Sequence, residues 1–389
     1  MRIAVVAPTQ IPARRANTVQ VMKMAQALRQ TGHEVHLLSP AQDASLLRQP
    51  VPWAELAYHY GLSSEFPMQW LRARPAWRGY DFGASAVLAA WRLKSDLVYT
   101  RHPQAAAFAS LLGTPTILEV HDLPQGRSGP LLLRLFLLGR GARRLATITR
   151  ALAADLGRLY GATAPSFTLI APDGVDLKRY ESLPEPRQAR LELGLPLHLP
   201  LDRFIAGYSG HFYAGRGTDL MLEIASQAPE MLFLLMGGEP QQVEGIRQTA
   251  KQRQLANVIL TGFIPNTDLP LYQAACDALL MPYQHHIAGS SGSDIAPYLS
   301  PMKLFEYLAC GRPILSSDLP VLREVLDDEN AVLLPPNESG AWVAALRRLQ
   351  DEPATCRSLA QQAKASAQQF SWEKRARRIL SGIEAGRHA

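Results

Sequence analysis

The chain of 389 residues carries only three cysteines, Cys276, Cys310 and Cys356, none in a CxxC spacing. An odd, scattered set excludes a disulfide framework and a cysteine zinc site, and such sparse usage fits a reducing, cytoplasmic setting. No uncharged apolar run reaches the ~18 residues that a membrane-spanning helix requires. The opening MRIAVVAPTQIP lacks the long apolar stretch and small-residue cleavage site of a signal peptide. Glycine is missing from Pro8 to Asn17, the loop after the first apolar run. A dinucleotide fingerprint needs glycines there so that backbone can approach a pyrophosphate, so a nicotinamide or flavin enzyme is not expected. Asp-x-Asp is also absent, which removes the common carboxylate clamp for a metal bridging a nucleotide diphosphate. No metal ligand set and no cofactor is predicted. Cationic side chains and helix dipoles must then neutralise any diphosphate.

What is present is an ordinary globular balance, with 47% apolar and 19% charged residues. At ~150 residues per domain this length suggests two domains. Short apolar runs alternate with helical-period segments throughout. The predicted strands of the first half are Ile3–Ala7, Glu34–Leu38, Leu97–Thr100, Thr116–Val120, Ala146–Thr149 and Phe167–Ile170. Those of the second are Phe204–Tyr208, Leu232–Met236, Val258–Thr261, Ala278–Met281, Pro313–Ser316 and Ala331–Leu334. Strands that are apolar throughout and alternate with helices indicate parallel sheets covered on both faces. The expected fold is α/β, with two doubly wound domains. Residues 1–182 and 202–369 form them, a proline-rich connection spans 183–201, and a final helix occupies 370–389. Other helices are expected over Leu131–Arg144 and Ser371–Gly386, and the aromatic-rich region Ser45–Tyr80 shows no clear order.

Ligands of open parallel sheets bind beyond the carboxyl ends of strands, which directs attention to four loops. Gly210-His211-Phe212-Tyr213-Ala214-Gly215-Arg216-Gly217 follows a strand and opens a helix near Thr218, a natural anion site. The Arg216 guanidinium matches phosphate oxygens; a plain turn with a solvated arginine is the alternative. Ser300 reads as an N-cap and Pro301 as a first-turn proline. Lys303 then lies in the first helical turn, where a cation opposes the dipole unless a bound anion compensates. Glu306 lies on the same face, either accepting from vicinal ribose hydroxyls or pairing with Lys303. Glu119-Val120-His121-Asp122 puts an imidazole, the commonest proton-transfer side chain at neutral pH, at a strand's end. Arg14 and Arg15 occupy the loop after the first strand.

In order and spacing these loops resemble the retaining glycosyltransferases of GT-B architecture, the large family that includes sucrose, mannosyl and bacterial polysaccharide synthases. Ala16 to Met24, Tyr99-Thr100-Arg101-His102, Glu119 to Asp122, Pro172-Asp173-Gly174-Val175-Asp176, Gly210 to Gly217, Ser300 to Tyr307, Gly311-Arg312-Pro313, Ser317 to Pro320 and Phe370-Ser371-Trp372-Glu373 carry the likeness. The resemblance implies two Rossmann-like domains facing a cleft, the second binding a nucleoside diphosphate sugar and the first an acceptor, with the final helix crossing back to the first domain. It implies catalytic roles for His121, Arg216 and Lys303. Donor contacts would come from Gly210, His211, Arg216, Gly262, Phe263, Met302, Lys303, Leu304, Glu306 and Glu324. Arg15, Asn17, Arg101 and Asp122 would serve the acceptor side. The sequence departs from the family at His211, where an arginine is usual, and at Tyr298, where a glutamate binds donor-sugar hydroxyls; Asp294 is a nearby substitute. The implied reaction is a front-face displacement that needs no metal and no carboxylate pair. The competing readings are a sugar-nucleotide 2-epimerase and an inactive nucleotide-sugar-binding subunit.

The charge is uneven. Residues 1–180 hold 21 Lys/Arg against 11 Asp/Glu, while the remainder hold 19 against 23. Because no nucleic-acid motif accompanies this surplus, a nucleic-acid partner is not expected. The stretch Phe66–Arg78 interleaves aromatic and basic residues, and the apolar Leu131–Leu138 adjoins four arginines. Both suit a peripheral contact with an anionic membrane at its inner face, hence a lipid-linked acceptor as one expectation beside a free sugar or small molecule.

Overall fold

The computed structural model describes residues 1–41, 43–161, 167–194, 197–289 and 294–383. The chain forms two compact units. Met1–Asp173 with the C-terminal segment from Trp372 makes the first, and Gly174–Ser371 the second.

The first unit is a seven-stranded parallel sheet of β1 (Arg2–Val6), β2 (Glu34–Ala41), β3 (Met68–Arg72), β4 (Leu97–Thr100), β5 (Thr116–Val120), β6 (Ala142–Thr147) and β7 (Thr168–Ile170), in the order β3-β2-β1-β4-β5-β6-β7. The second is a six-stranded parallel sheet of β8 (Ile205–Ser209), β9 (Leu232–Met236), β10 (Val258–Gly262), β11 (Ala278–Met281), β12 (Ile314–Ser317) and β13 (Val332–Leu334), in the order β10-β9-β8-β11-β12-β13. Central strands such as Leu232–Met236 are buried along their whole length, as a sheet covered on both faces requires. The strand order reverses between β1 and β4 in one sheet and between β8 and β11 in the other. These are the switch points at which a doubly wound sheet opens a crevice beyond its carboxyl ends.

Several elements differ from the sequence expectation. Met68–Arg72, inside the unordered aromatic region, is the edge strand β3, and Trp70 Nε1 donates to the Ile11 carbonyl at 2.7 Å. The helix expected over Leu131–Arg144 runs only Ser128–Leu138. Its periodicity continues on paper into β6, but the chain must stop being helical at Gly139. A Cβ at Gly139 would stand 2.1 Å from Ser110 Oγ, and one at Gly141 2.1 Å from the Thr114 carbonyl. This close passage against the preceding helix returns the chain to the sheet. The connection 183–201 contains the helix Pro186–Leu193 and belongs to the second unit. Arg190 fixes it there, donating to the carbonyls of Ala275, Leu201 and Arg203 and to Asp277 Oδ2. The final helix covers Trp372–Leu380 rather than Ser371–Gly386, and residues 384–389 lie outside the described residues. No helix among the described residues is long and apolar enough to cross a membrane.

Candidate active site

In the second unit two cations meet at the switch point. Arg216 lies in the loop after β8, and Lys303 on the helix Met302–Cys310 that follows β11. The first loop is shaped by glycine. Gly215 and Gly217 have φ of +81° and +80°, and a Cβ at either would stand 2.0 Å from the His286 carbonyl or 1.9 Å from that of Pro282. Only glycine accepts both the left-handed backbone and this contact. Gly217 then forms the N-cap of the helix Thr218–Gln227 with no side-chain cap, so its first N–H groups remain open. Arg216 Nη1 donates to Tyr283 Oη at 3.2 Å, while its Nε is buried without a hydrogen bond.

Lys303 is buried, with 9% of its surface exposed, and its Nζ has no hydrogen bond. It stands 3.6 Å from the centre of the Tyr208 ring, and a Cβ at Gly210 would lie 2.7 Å from it. Burial, then the charge of Arg216, push its pKa well below that of an ordinary lysine, against the opposing pull of Glu306. A buried ammonium without partners is costly, and an anion between Lys303 and Arg216 removes the cost. The helix does not start as expected: Pro301, not Ser300, takes the N-cap position, with no side-chain cap. The proline ring cannot donate, and its extended backbone (φ −78°, ψ 132°) suits the cap. Met302, Lys303 and Leu304 therefore form the first turn.

Glu306 is half-buried one turn on, and no ion pair joins it to Lys303 among the described residues. Its Oε2 accepts from Gln273 Nε2 at 3.3 Å. Gln273 also donates to Ser209 Oγ at 3.1 Å and accepts from Tyr180 Oη at 3.0 Å. The carboxylate is thus held from behind by a neutral amide and keeps acceptor capacity. His211 stacks on Tyr213, with ring centres 4.9 Å apart. Gly262 ends β10 with φ +71°, and its carbonyl accepts from Gly237 N at 2.8 Å; Phe263 follows directly. Glu324 lies in the short 3-10 turn Leu322–Glu324. Tyr298 is buried. Asp294 organises its own loop, accepting from Ile287 N, Ala296 N and His286 Nδ1. Backbone hydrogen bonds from Ile287 and Ala296 hold its carboxyl down at about 2.

The first unit gathers a second polar cluster at the ends of β4, β5 and β7. Glu119 is buried, and its Oε1 accepts from Gln20 Nε2 at 2.7 Å, Arg375 Nη2 at 2.8 Å and His121 Nε2 at 2.5 Å. Burial alone would raise this carboxyl; the charge of Arg375 and the hydrogen bonds of His121 and Arg375 outweigh it and bring it to about 2. His121 is pushed down by burial and by Arg101, against Glu119 and Asp173. Asp173 is pushed up by burial, against the charges of His121 and Arg375. Arg101 donates to Gln20 Oε1 at 3.0 Å, and burial brings it down to about 10. Glu119, His121 and Asp173 offer ligand atoms within 4.8 Å of one another, a spacing that could bracket a cation. Arg375 already occupies that role, bonded to Glu119 and 4.0 Å from Asp173 Oδ1. Asp122 Oδ1 accepts from Leu123 N at 2.8 Å. Asn17 Oδ1 is buried without a hydrogen bond, while Arg15 is exposed and offers its carbonyl to Thr18 Oγ1.

Several residues of these clusters were not singled out from the sequence. Tyr208 and Tyr283 look like ordinary strand-end aromatics. Asp173 was seen only as part of a motif. Arg375 had a usable signal, since it shares the buried face of its helix with Trp372, Ala376 and Ile379, and a guanidinium on such a face needs a partner.

Comparisons with known proteins give the family. The family model described as "Glycosyltransferase Family 4" matches residues 18–179, and that of "Glycosyl transferases group 1" matches 196–366. The chain belongs to the GT-B glycosyltransferases. It is 27% identical over 305 residues to a D-inositol 3-phosphate glycosyltransferase of Xylanimonas cellulosilytica, covering 77% of this chain and 68% of that protein. It is 29% identical over 220 residues to a 2-deoxystreptamine N-acetyl-D-glucosaminyltransferase of Streptomyces fradiae, covering 56% of this chain and 48% of that protein. Among solved structures, HepE of Anabaena in complex with UDP and glucose superposes with a TM-score of 0.73 at 18% identity, over 98% of this chain and all of that one. A sucrose-phosphate synthase of Thermosynechococcus elongatus gives a TM-score of 0.72 at 19% identity, over 97% and 96%.

Proposed function

We propose that this chain transfers a glycosyl group from a nucleoside diphosphate sugar to an acceptor hydroxyl with retention of anomeric configuration and without a metal. The observation that carries this is the pair Arg216 and Lys303 at the switch point, each with a buried nitrogen that makes no hydrogen bond, beside the open start of the helix Thr218–Gln227. Two planar or point cations and free N–H groups match a diphosphate that would otherwise need a metal. Glu306, one helical turn from Lys303, suits a ribose diol. In the reaction the bond between the anomeric carbon and the phosphate oxygen breaks, the acceptor oxygen bonds to that carbon from the same face, and its proton passes to the leaving phosphate. The charges of Arg216 and Lys303 stabilise the departing diphosphate, with His211 an additional donor. A UDP sugar is the first donor to test, because HepE is a complex with UDP. The acceptor belongs to glycoconjugate synthesis, as a sugar, a lipid-linked sugar or a small polyol.

The test is a thermal-shift panel of UDP, GDP and ADP sugars with and without EDTA, since a bound donor stabilises by mass action. One nucleotide should raise the melting temperature equally in both conditions. A hundredfold loss of affinity on chelation defeats the metal-free reading. Product from a turning-over donor, examined by NMR for its anomeric configuration, tests retention, and binding without any turnover favours the inactive subunit.

A further inference from the structure

We propose that Glu119, held by Arg375, fixes the His121 imidazole as its Nε2–H form and leaves Nδ1 as the ring's hydrogen-bond acceptor. The carboxylate oxygen Glu119 Oε1 receives three contacts. Two come from groups that can only donate, the Gln20 amide nitrogen at 2.7 Å and the Arg375 guanidinium at 2.8 Å. A carboxylate clasped by two donors in the core accepts from its third neighbour as well, so the hydrogen between it and His121 Nε2, 2.5 Å away, belongs to the imidazole. The ring then has one nitrogen left. His121 keeps 18% of its side chain exposed while Glu119 keeps none, so the outward part of the pair is the imidazole.

The charges around the ring support the neutral form. Arg101 and Arg375 face the cluster with positive charge, and Glu119 and Asp173 face it with negative charge. Burial and Arg101 hold the imidazole pKa down, and Glu119 remains a carboxylate far below neutral pH. A neutral ring protonated at Nε2 presents a lone pair at Nδ1. That atom accepts from a hydroxyl; it cannot donate to a phosphate oxygen. Arg375 and Glu119 are therefore positioning residues. Arg375 is itself fixed on all sides, donating to the carbonyls of Pro172 and Ala171 as well as to Glu119.

That the ring serves glycosyl transfer rests on the function proposed above; the tautomer does not. The experiment is a two-dimensional nitrogen–proton NMR spectrum of the full chain labelled at histidine, with the His121 signals assigned by their loss in His121→Gln. Between pH 6 and 8 the wild type should show Nδ1 at the shift of a bare, pyridine-type nitrogen and Nε2 at that of a protonated one. Glu119→Leu, which removes the one oxygen that Gln20, Arg375 and the ring share, should release the preference and give a mixture of the two tautomers. Arg375→Lys, which keeps a charge, should leave them in place. A protonated Nδ1, an even mixture of tautomers or an imidazolium at pH 7 in wild type overturns the proposal, whether or not either variant folds. If calorimetry shows that no nucleotide sugar binds, the donor reading fails and the tautomer, measured on the free protein, stands.

Discussion

An ammonium group buried against a tyrosine ring with no hydrogen bond, as at Lys303, is stable only by giving up its proton part of the time or by acquiring an anion. Both follow from the same geometry. If a diphosphate settles between Lys303 and Arg216, the ammonium gains what burial took from it, and its pKa rises on binding. The complex then holds more protons than the free protein. UDP binding should take up protons, and affinity should fall as pH rises above the depressed pKa of Lys303 in the free protein. Calorimetry in buffers of different ionisation enthalpy measures the uptake directly, and uptake that persists in Lys303→Ala would assign it to another group. Arg216→Ala and Lys303→Ala should each weaken UDP by ~10- to 150-fold, because losing a charge-assisted hydrogen bond costs ~1.5–3 kcal/mol. Unchanged affinity in both would move the phosphate site elsewhere. Glu306→Gln should lower affinity for UDP but not for its 2′,3′-dideoxy analogue. Equal binding of the two nucleotides by wild type would make Glu306 structural. Lys303 and Arg216 stood out in the sequence because each contradicts its local setting, a cation in a helix's first turn and an arginine between glycines; Glu306 stood out only as a carboxylate one turn from the cation, and that it pairs with Gln273 rather than Lys303 needed the structure. The tyrosines that receive them were not legible. Aromatic residues at strand ends are ordinary core, and nothing in a one-dimensional pattern says which ring will lie 3.6 Å from a lysine.

At the scale of elements the alternation of apolar runs with helical periods located twelve of the thirteen strands among the described residues, since a strand buried on both faces reads as a continuous apolar run. The missing one, β3, shows why. It lies at the sheet edge, its residues are half-buried or exposed, and Met68-Gln69-Trp70-Leu71-Arg72 therefore carries no such run. The helix after β5 was overextended for the opposite reason. Its apolar period continues into β6, and only the contacts of Gly139 and Gly141 with the preceding helix, which depend on the folded chain, end it. The loop after β8 is where an element most constrains the site. Gly217→Ala would place a methyl group 1.9 Å from the Pro282 carbonyl at a φ of +80°. Backbone strain of this kind costs ~1–3 kcal/mol, and here the close contact adds to it. We expect a lowered melting temperature together with lost UDP binding, because the loop can relieve the clash only by moving Arg216 and the start of the helix Thr218–Gln227. Native stability and affinity in the alanine variant would show that the loop is not held by that contact.

At the scale of the whole molecule the chain leaves the first unit at Asp173 and returns to it at Trp372, so one core is closed by two segments far apart in sequence. Composition and motif order foretold two doubly wound domains, and the resemblance implied a final helix that crosses back to the first. They did not foretell that this helix carries a charge into the first core. Arg375 bonds to Glu119 across 256 positions of sequence and to the carbonyls of Ala171 and Pro172, with Trp372, Ala376, Ile379 and Leu380 buried beside it. Within this core the guanidinium balances Glu119 and stands 4.0 Å from Asp173 Oδ1. Removing one partner of a buried pair leaves an uncompensated charge and costs ~3–5 kcal/mol. Arg375→Met should therefore destabilise the first unit by about that amount while leaving the cations of the second untouched. Hydrogen exchange followed by mass spectrometry should show protection lost in β1, β4 and β5 and retained in β8, β9 and β11. UDP affinity should stay within a factor of about two of wild type, as for a substitution with no contact to the ligand. Equal loss of protection in both sheets would mean that the two units unfold as one and that the charge of Arg375 supports the entire chain.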